Sequence, residues 1–145
     1  MADQICFEDV RDGMEIPVLE KHPTTQQLVK FAGATSDYYQ IHYDREFALS
    51  FGLPDVIVHG PLKNAFLGQL MTDWIGEHGT LKELSVRFRG MDVPGTPVYA
   101  KGVVKGKRVV DGEHLVECEV WLETHDGQKT TTGEAIAALP SRGGW

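Results

Sequence analysis

The chain has 145 residues, 41% of them apolar, and a formal net charge of −7. This length predicts one domain over residues 1–145 with material for a real core, and the apolar fraction excludes a disordered chain. The acidic balance argues against nucleic acid as a partner, no apolar run is long enough for a membrane span, and Met1-Ala2-Asp3-Gln4 opens no export signal, so a cytoplasmic protein is expected.

In chain order, Met14 to Lys21 predicts a first strand, with Ile16, Val18 and Glu20 on one side. Pro23-Thr24-Thr25 opens a helix with Thr as N-cap; Leu28, Val29, Phe31 and Ala32 form its apolar stripe, and it ends between Gly33 and Ser36. After a loop, Asp44 caps a short helix from Arg45 to Phe51 that stops at Gly52. A third helix starts after His59 and ends at Ile75. Its apolar residues Leu62, Ala65, Phe66, Leu67, Leu70, Met71, Trp74 and Ile75 cover most of the circumference and its polar ones gather on no face, so it is expected to be mostly surrounded by protein. Gly68 within it predicts close packing against another backbone.

From Thr80 the period changes to two. Leu84, Val86 and Phe88 alternate with Ser85, Arg87 and Arg89, and comparable runs follow to Leu139. Pro94-Gly95, Asp111-Gly112 and Asp126-Gly127 separate the runs, and Asp-Gly between alternating runs is a strong hairpin signal. Residues 80–139 therefore predict a four-stranded antiparallel meander. The sum is an α+β chain in which a curved antiparallel sheet wraps around one long central helix. Exposed edges in such a sheet favour a dimer. Cys6 and Cys118 lie far apart without metal-ligand spacing, which predicts two free thiols.

The chemistry concentrates in residues 36–76. Asp37 and His42 fall in an aperiodic stretch between two helices, where both can reach one water or one substrate carbon. The same two residues also suit a plain turn-capping Asp and a loop-filling His. Gly60-Pro61 leaves backbone N–H groups uncovered at a helix N-terminus, where a carbonyl oxygen that becomes negative would be stabilised.

Residues 34–75 resemble the MaoC-like, R-specific enoyl-CoA hydratase family of the hot-dog fold. The family's Ser/Thr-Asp-x-Asn-Pro-aliphatic-His-x-Asp segment is matched by Ser36, Asp37, Ile41, His42 and Asp44, and its His-Gly step at the helix head by His59-Gly60. The family's Asn-Pro pair is Tyr39-Gln40 in this chain, and the Ser that many relatives carry in the central helix is missing, with Asn64 as a polar substitute. The resemblance implies that Asp37 and His42 activate a water that adds to a trans-2-enoyl-CoA thioester, while the Gly60 N–H polarises the thioester carbonyl. It implies no metal and no cofactor beyond the coenzyme A thioester substrate itself.

Further substrate-binding candidates are Tyr38, Tyr39 and His59, and Arg87 and Arg89, which alternate with the apolar face and so point away from the central helix, are candidates for the phosphates of coenzyme A at a subunit boundary. The two arginines belong to a local basic excess with Lys101, Lys105, Lys107 and Arg108, which equally suits a solvated strand face. His22, His78, His114 and His125 are scattered and form no ligand set. The expected assembly is a homodimer or a higher assembly of dimers, with a paralogous subunit as the variant. The competing functions are an acyl-CoA thioesterase on the same fold, and one subunit of a heteromeric hydratase.

Overall fold

The computed structural model describes residues 3–143. After a 3-10 turn at Phe7–Asp9, the elements are β1 (Glu15–Lys21), α1 (Thr25–Thr35), a second 3-10 turn (Gln40–His42), α2 (Arg45–Ser50), α3 (Gly60–Ile75), β2 (Thr80–Phe88), β3 (Val98–Val110), β4 (Glu113–Glu123) and β5 (Lys129–Ala138). All neighbouring strands are antiparallel, in the order β1-β3-β4-β5-β2. Leu62, Phe66, Leu67, Leu70, Met71 and Ile75 of α3 pack on Val104, Val116, Cys118, Val120, Leu122, Ala135 and Ala137 of the sheet's inner face. This is the hot-dog arrangement of a sheet around a central helix.

Local signals place the helices as expected. The Thr24 hydroxyl accepts the Gln27 N–H at 3.1 Å, and the Asp44 carboxylate accepts the Phe47 N–H at 3.1 Å. Both side chains satisfy donors that a helix start leaves orphaned. Helix α1 ends where Ser36 enters the left-handed region at φ 59, and the Asp37 N–H closes back on the Ala32 carbonyl at 3.1 Å. Val29 does not join the α1 stripe; it is exposed, while Leu28 and Ala32 are buried.

Residues 80–139 are not a four-stranded meander. Only β3, β4 and β5 run as one; β2 lies at the far edge against β5, and β3 pairs with β1 instead. Pro94-Gly95 belongs to a long connection, residues 89–97, that crosses the end of the sheet rather than turning tightly. Its Gly95 N–H bonds the Pro23 carbonyl, and the Arg89 and Gly90 N–H groups bond the Thr130 carbonyl. Asp111-Gly112 is the expected two-residue turn, with φ of 51 and 79. Asp126-Gly127 sits in a longer loop closed by the Thr124 N–H on the Gln128 carbonyl.

Three packing expectations change. In β1 the register shifts between Ile16 and Leu19, so Leu19 turns inward and Val18 is 55% exposed. Pro17 cannot donate to the ladder, and a bulge is where strands tolerate such a residue. In α3, Pro61, Ala65, Gln69, Thr72 and Asp73 form one exposed stripe, so the helix is not surrounded on every side. A Cβ at Gly68 would meet nothing nearer than Leu84 Cδ2 at 3.9 Å, which is ordinary contact and no reason for a glycine.

Candidate active site

Three segments meet at the head of α3. The Ser36 cap delivers Asp37, the 3-10 turn after Tyr39 delivers His42, and residues 56–58 lead through His59 into the helix. His42 is buried, while the Asp37 side chain is about one-third exposed at 37%. His42 Nδ1 lies 2.7 Å from the Ile57 carbonyl oxygen. A carbonyl only accepts, so Nδ1 carries a proton, and in the neutral form of the ring the lone pair lies at Nε2. That Nε2 lies 4.0 Å from Asp37 Oδ2. The gap is too wide for a direct hydrogen bond and suits a water bonded to each at about 2.8 Å.

Beneath His42 lies His59. The two rings are nearly parallel, with centroids 3.8 Å apart and planes at 19°. Phe31 of α1 meets His59 edge-on at 4.9 Å. His59 is 0% exposed, and neither of its nitrogens has a hydrogen-bond partner among the described residues. Burial, followed by the neighbouring His42, pushes its pKa below the ordinary histidine value, so the ring is held neutral. Asp37, His42 and His59 place one potential ligand atom each within 4.8 Å of the others. The parallel stack sends the two imidazole lone pairs side by side rather than toward one point, which fits a metal ion poorly.

Gly60 opens α3, with Pro61 in the first turn. The first main-chain bond of the helix runs from the Lys63 N–H to the His59 carbonyl, and the Gly60 N–H has no acceptor among the described residues. An added Cβ at Gly60 would lie 2.9 Å from Cζ of Phe88, so this position and the β2 ring are fitted to each other. One turn into α3, Lys63 is buried. Its Nζ lies 2.9 Å from Asp92 Oδ2, donates to the Gly90 carbonyl at 2.8 Å, and stands 5.7 Å above the Phe88 ring.

Around His42 the surface is aromatic. Tyr39 packs edge-on against His42, Phe47 and Phe51 at centroid distances of 6.4, 6.2 and 6.5 Å. Tyr38, Tyr39, Tyr43 and Phe51 are all exposed, and the Tyr43 hydroxyl donates to the Tyr38 carbonyl at 3.0 Å.

The structure thus brings Asp37, His42, His59, Gly60, Tyr38 and Tyr39 to one place. Arg87 and Arg89 point away from the central helix, as their alternation predicts. They lie on the opposite face of the sheet, in a cleft of about 510 Å³ with Lys105, Glu119 and Glu134, where Arg89 Nε donates to the Thr132 hydroxyl at 3.3 Å. His59 is sealed from solvent, which removes it as a direct substrate contact in this conformation. Sequence reasoning missed Lys63, Asp92, Phe88 and the Ile57 carbonyl. The available signal was a lysine inside an apolar helix run, since a buried ammonium requires a carboxylate.

Comparison with known proteins agrees with this fold. Residues 9–125 match the MaoC like domain family. The chain is 28% identical over 92 residues to the 3-oxo-4,17-pregnadiene-20-carboxyl-CoA hydratase beta subunit of Mycobacterium tuberculosis, covering 63% of this chain and 67% of that one. It is 26% identical over 135 residues to the fatty acid synthase subunit beta of Saccharomyces cerevisiae, covering 91% of this chain but only 6% of that one. Among solved structures, the (R)-hydratase from A. caviae involved in PHA biosynthesis is similar at a TM-score of 0.81 and 25% identity, covering 92% of this chain and 99% of that one. The ChsH1-ChsH2 complex from M. tuberculosis is similar in fold at a TM-score of 0.78 and 24% identity, covering 89% and 98%. No described helix is long and apolar enough to cross a membrane.

Proposed function

This chain belongs to the MaoC-like domain family, and from that premise we propose that it adds water to the double bond of a trans-2-enoyl-CoA thioester, or removes it in reverse. The observation that carries the reading is the His42 Nδ1–Ile57 carbonyl bond, which fixes the ring with Nε2 facing Asp37. Water held by Asp37 Oδ2 and His42 Nε2 gives up a proton as its oxygen bonds to C3 of the substrate. The electron pair of the double bond moves onto the thioester oxygen, which the Gly60 N–H stabilises together with the dipole of α3. The proton then returns to C2, so one water is consumed and no other reactant is needed. The A. caviae relative supports an R-configured 3-hydroxyacyl product.

Incubation with a panel of enoyl-CoAs tests this. Loss of the conjugated chromophore without release of thiol is the expected result. Release of free thiol would mean that the protein is a thioesterase.

A second reading is favoured by the mycobacterial relative, a beta subunit. In it, the chain needs a paralogous partner to form a working site. A folded protein that is inactive alone on every enoyl-CoA, and active once a paralogous MaoC-like chain is co-expressed, would select that reading.

A further inference from the structure

We infer that the buried Lys63–Asp92 ion pair is a positioning device that holds His42 in its working tautomer. The inference rests on the proposed function only for its kinetic readout. The contacts form a continuous path. Lys63 Nζ, on the turn of α3 just below Gly60, reaches Asp92 Oδ2 at 2.9 Å and the Gly90 carbonyl at 2.8 Å. The main-chain carbonyl of Asp92 accepts the Val58 N–H at 2.8 Å. The preceding residue, Ile57, gives its carbonyl to His42 Nδ1 at 2.7 Å and its N–H to the Ile41 carbonyl at 3.0 Å. Residues 57 and 58 are therefore a short bridge, fixed on one side to the turn that carries His42 and on the other to Asp92. Lys63 fixes Asp92 in turn to the helix whose head presents Gly60.

The charged character of this link is itself informative. The side chains of Lys63 and Asp92 are 3% and 2% exposed. A well-packed apolar pair commonly does the same packing work at no greater free-energy cost, so a buried ion pair is better explained by where it holds its surroundings. Main-chain bonds tie residues 89, 90 and 95 to the Thr130 and Pro23 carbonyls, but among the side chains it is Lys63 that ties this connection to α3. The ion pair with Asp92 and the hydrogen bond to the Gly90 carbonyl set the place of this connection on α3, and the Val58 and Ile57 bonds carry the constraint to His42.

The test uses the full chain and two readouts. Lys63→Met/Asp92→Leu replaces the pair by apolar residues, and Asp92→Asn is a near-isosteric second variant in case the double variant fails to fold. Nitrogen-15 NMR of the histidine-labelled protein reads the His42 tautomer without any substrate. Wild type is expected to show the Nδ1-protonated form, and the variants a mixture. With enoyl-CoA, kcat is expected to fall about tenfold or more while KM changes less than about twofold, since small misplacements of a reacting group are costly. Lys63→Arg, which keeps the charge, recovers most of kcat. An unchanged His42 tautomer with full kcat in a folded variant overturns the inference, as does a purely KM effect. If wild type turns over no enoyl-CoA, the proposed function fails, and the tautomer readout still decides the role of the pair.

Discussion

His42 and His59 stack ring upon ring, 3.8 Å apart, with one ring at the site and the other sealed beneath it. A buried polar ring without partners costs free energy that a phenyl ring of similar shape would not. His59→Phe is therefore expected to keep the platform under His42 and to raise stability at neutral pH by about 1 kcal/mol, measured by urea unfolding. Burial and then His42 hold the His59 pKa below 6.5, its ordinary value and the one it regains on unfolding. As pH falls below 6.5 the unfolded chain takes up a proton there that the folded chain refuses, so stability is lost down to the depressed folded-state pKa, below which both states are protonated and the loss is complete. Wild type should lose more stability than His59→Phe between about pH 7 and pH 5. Equal slopes for the two proteins would show that His59 is not held neutral.

The two residues assigned to water activation are expected to behave differently from that platform. Asp37 is partly exposed on a helix cap, so Asp37→Asn should leave the fold unchanged by circular dichroism. His42→Ala removes one side-chain hydrogen bond and the top ring of the stack, a modest stability cost of about 1–2 kcal/mol. Each variant is expected to lower hydration by a factor of about 10² to 10⁴, the usual worth of a general acid–base group. Near-normal turnover in either would sink the assigned mechanism.

What could be read in the chain beforehand was local. Thr24, Asp44 and Ser36 announce helix ends through their own side chains or backbone, and these ends place Asp37 and His42. The buried helix head at Gly60 was legible from Gly-Pro before an apolar run. The strand order was not, because Pro94-Gly95 looks like a turn wherever it stands, and only contacts distant in sequence send β2 to the far side of β5. The Lys63–Asp92 pairing was hidden for the same reason: a lysine inside an apolar run signals a buried charge, but which carboxylate it meets depends on that crossing connection.

Gly60 and Phe88 give a prediction that separates space from chemistry. Gly60 has no positive φ, so alanine is tolerated by the backbone, and the atoms nearest the new methyl belong to the Phe88 ring. That ring is 53% exposed and free to swing aside, so Gly60→Ala should cost less than about 1 kcal/mol of stability. Its kcat should fall, because a methyl and a displaced ring stand where the thioester oxygen approaches the N–H. Complete loss of that donor would be worth about 3 kcal/mol of barrier. Gly60→Ala/Phe88→Ala should recover part of kcat. No recovery would mean that the methyl itself, rather than the ring, blocks the site.

The two thiols should differ sharply in reactivity. Cys118 lies on the inner face of β4 with no exposure, and burial, with Glu117 adding to it, pushes its pKa up to about 12. The thiolate is the reactive form, so Cys118 should resist a disulfide reagent in the native protein. Cys6 is only partly buried and should react alone. One thiol per chain is expected before unfolding and two after it. Two fast thiols in the native state would contradict the packing of β4. Cys6→Ser then removes the background from the assay that distinguishes hydration from thioester hydrolysis.

Tyr39 stands where the family segment carries Asn, and it joins Phe47 and Phe51 in an aromatic group that borders His42. The exposed apolar faces of Tyr39 and Phe51 suit contact with the acyl group. Tyr39→Ala removes the member of this aromatic group that packs edge-on against His42 while leaving the His42 Nδ1–Ile57 bond in place. For the shortest enoyl thioester, which does not reach the aromatic group, kcat/KM is expected to stay within about threefold of wild type. For thioesters with larger apolar acyl groups, lost burial of a ring-sized contact should raise KM by about tenfold, corresponding to about 1.4 kcal/mol. Competition between a short and a bulky enoyl-CoA in one reaction measures the ratio directly. An equal loss for both substrates would show that Tyr39 supports the turn carrying His42 and does not read the acyl group.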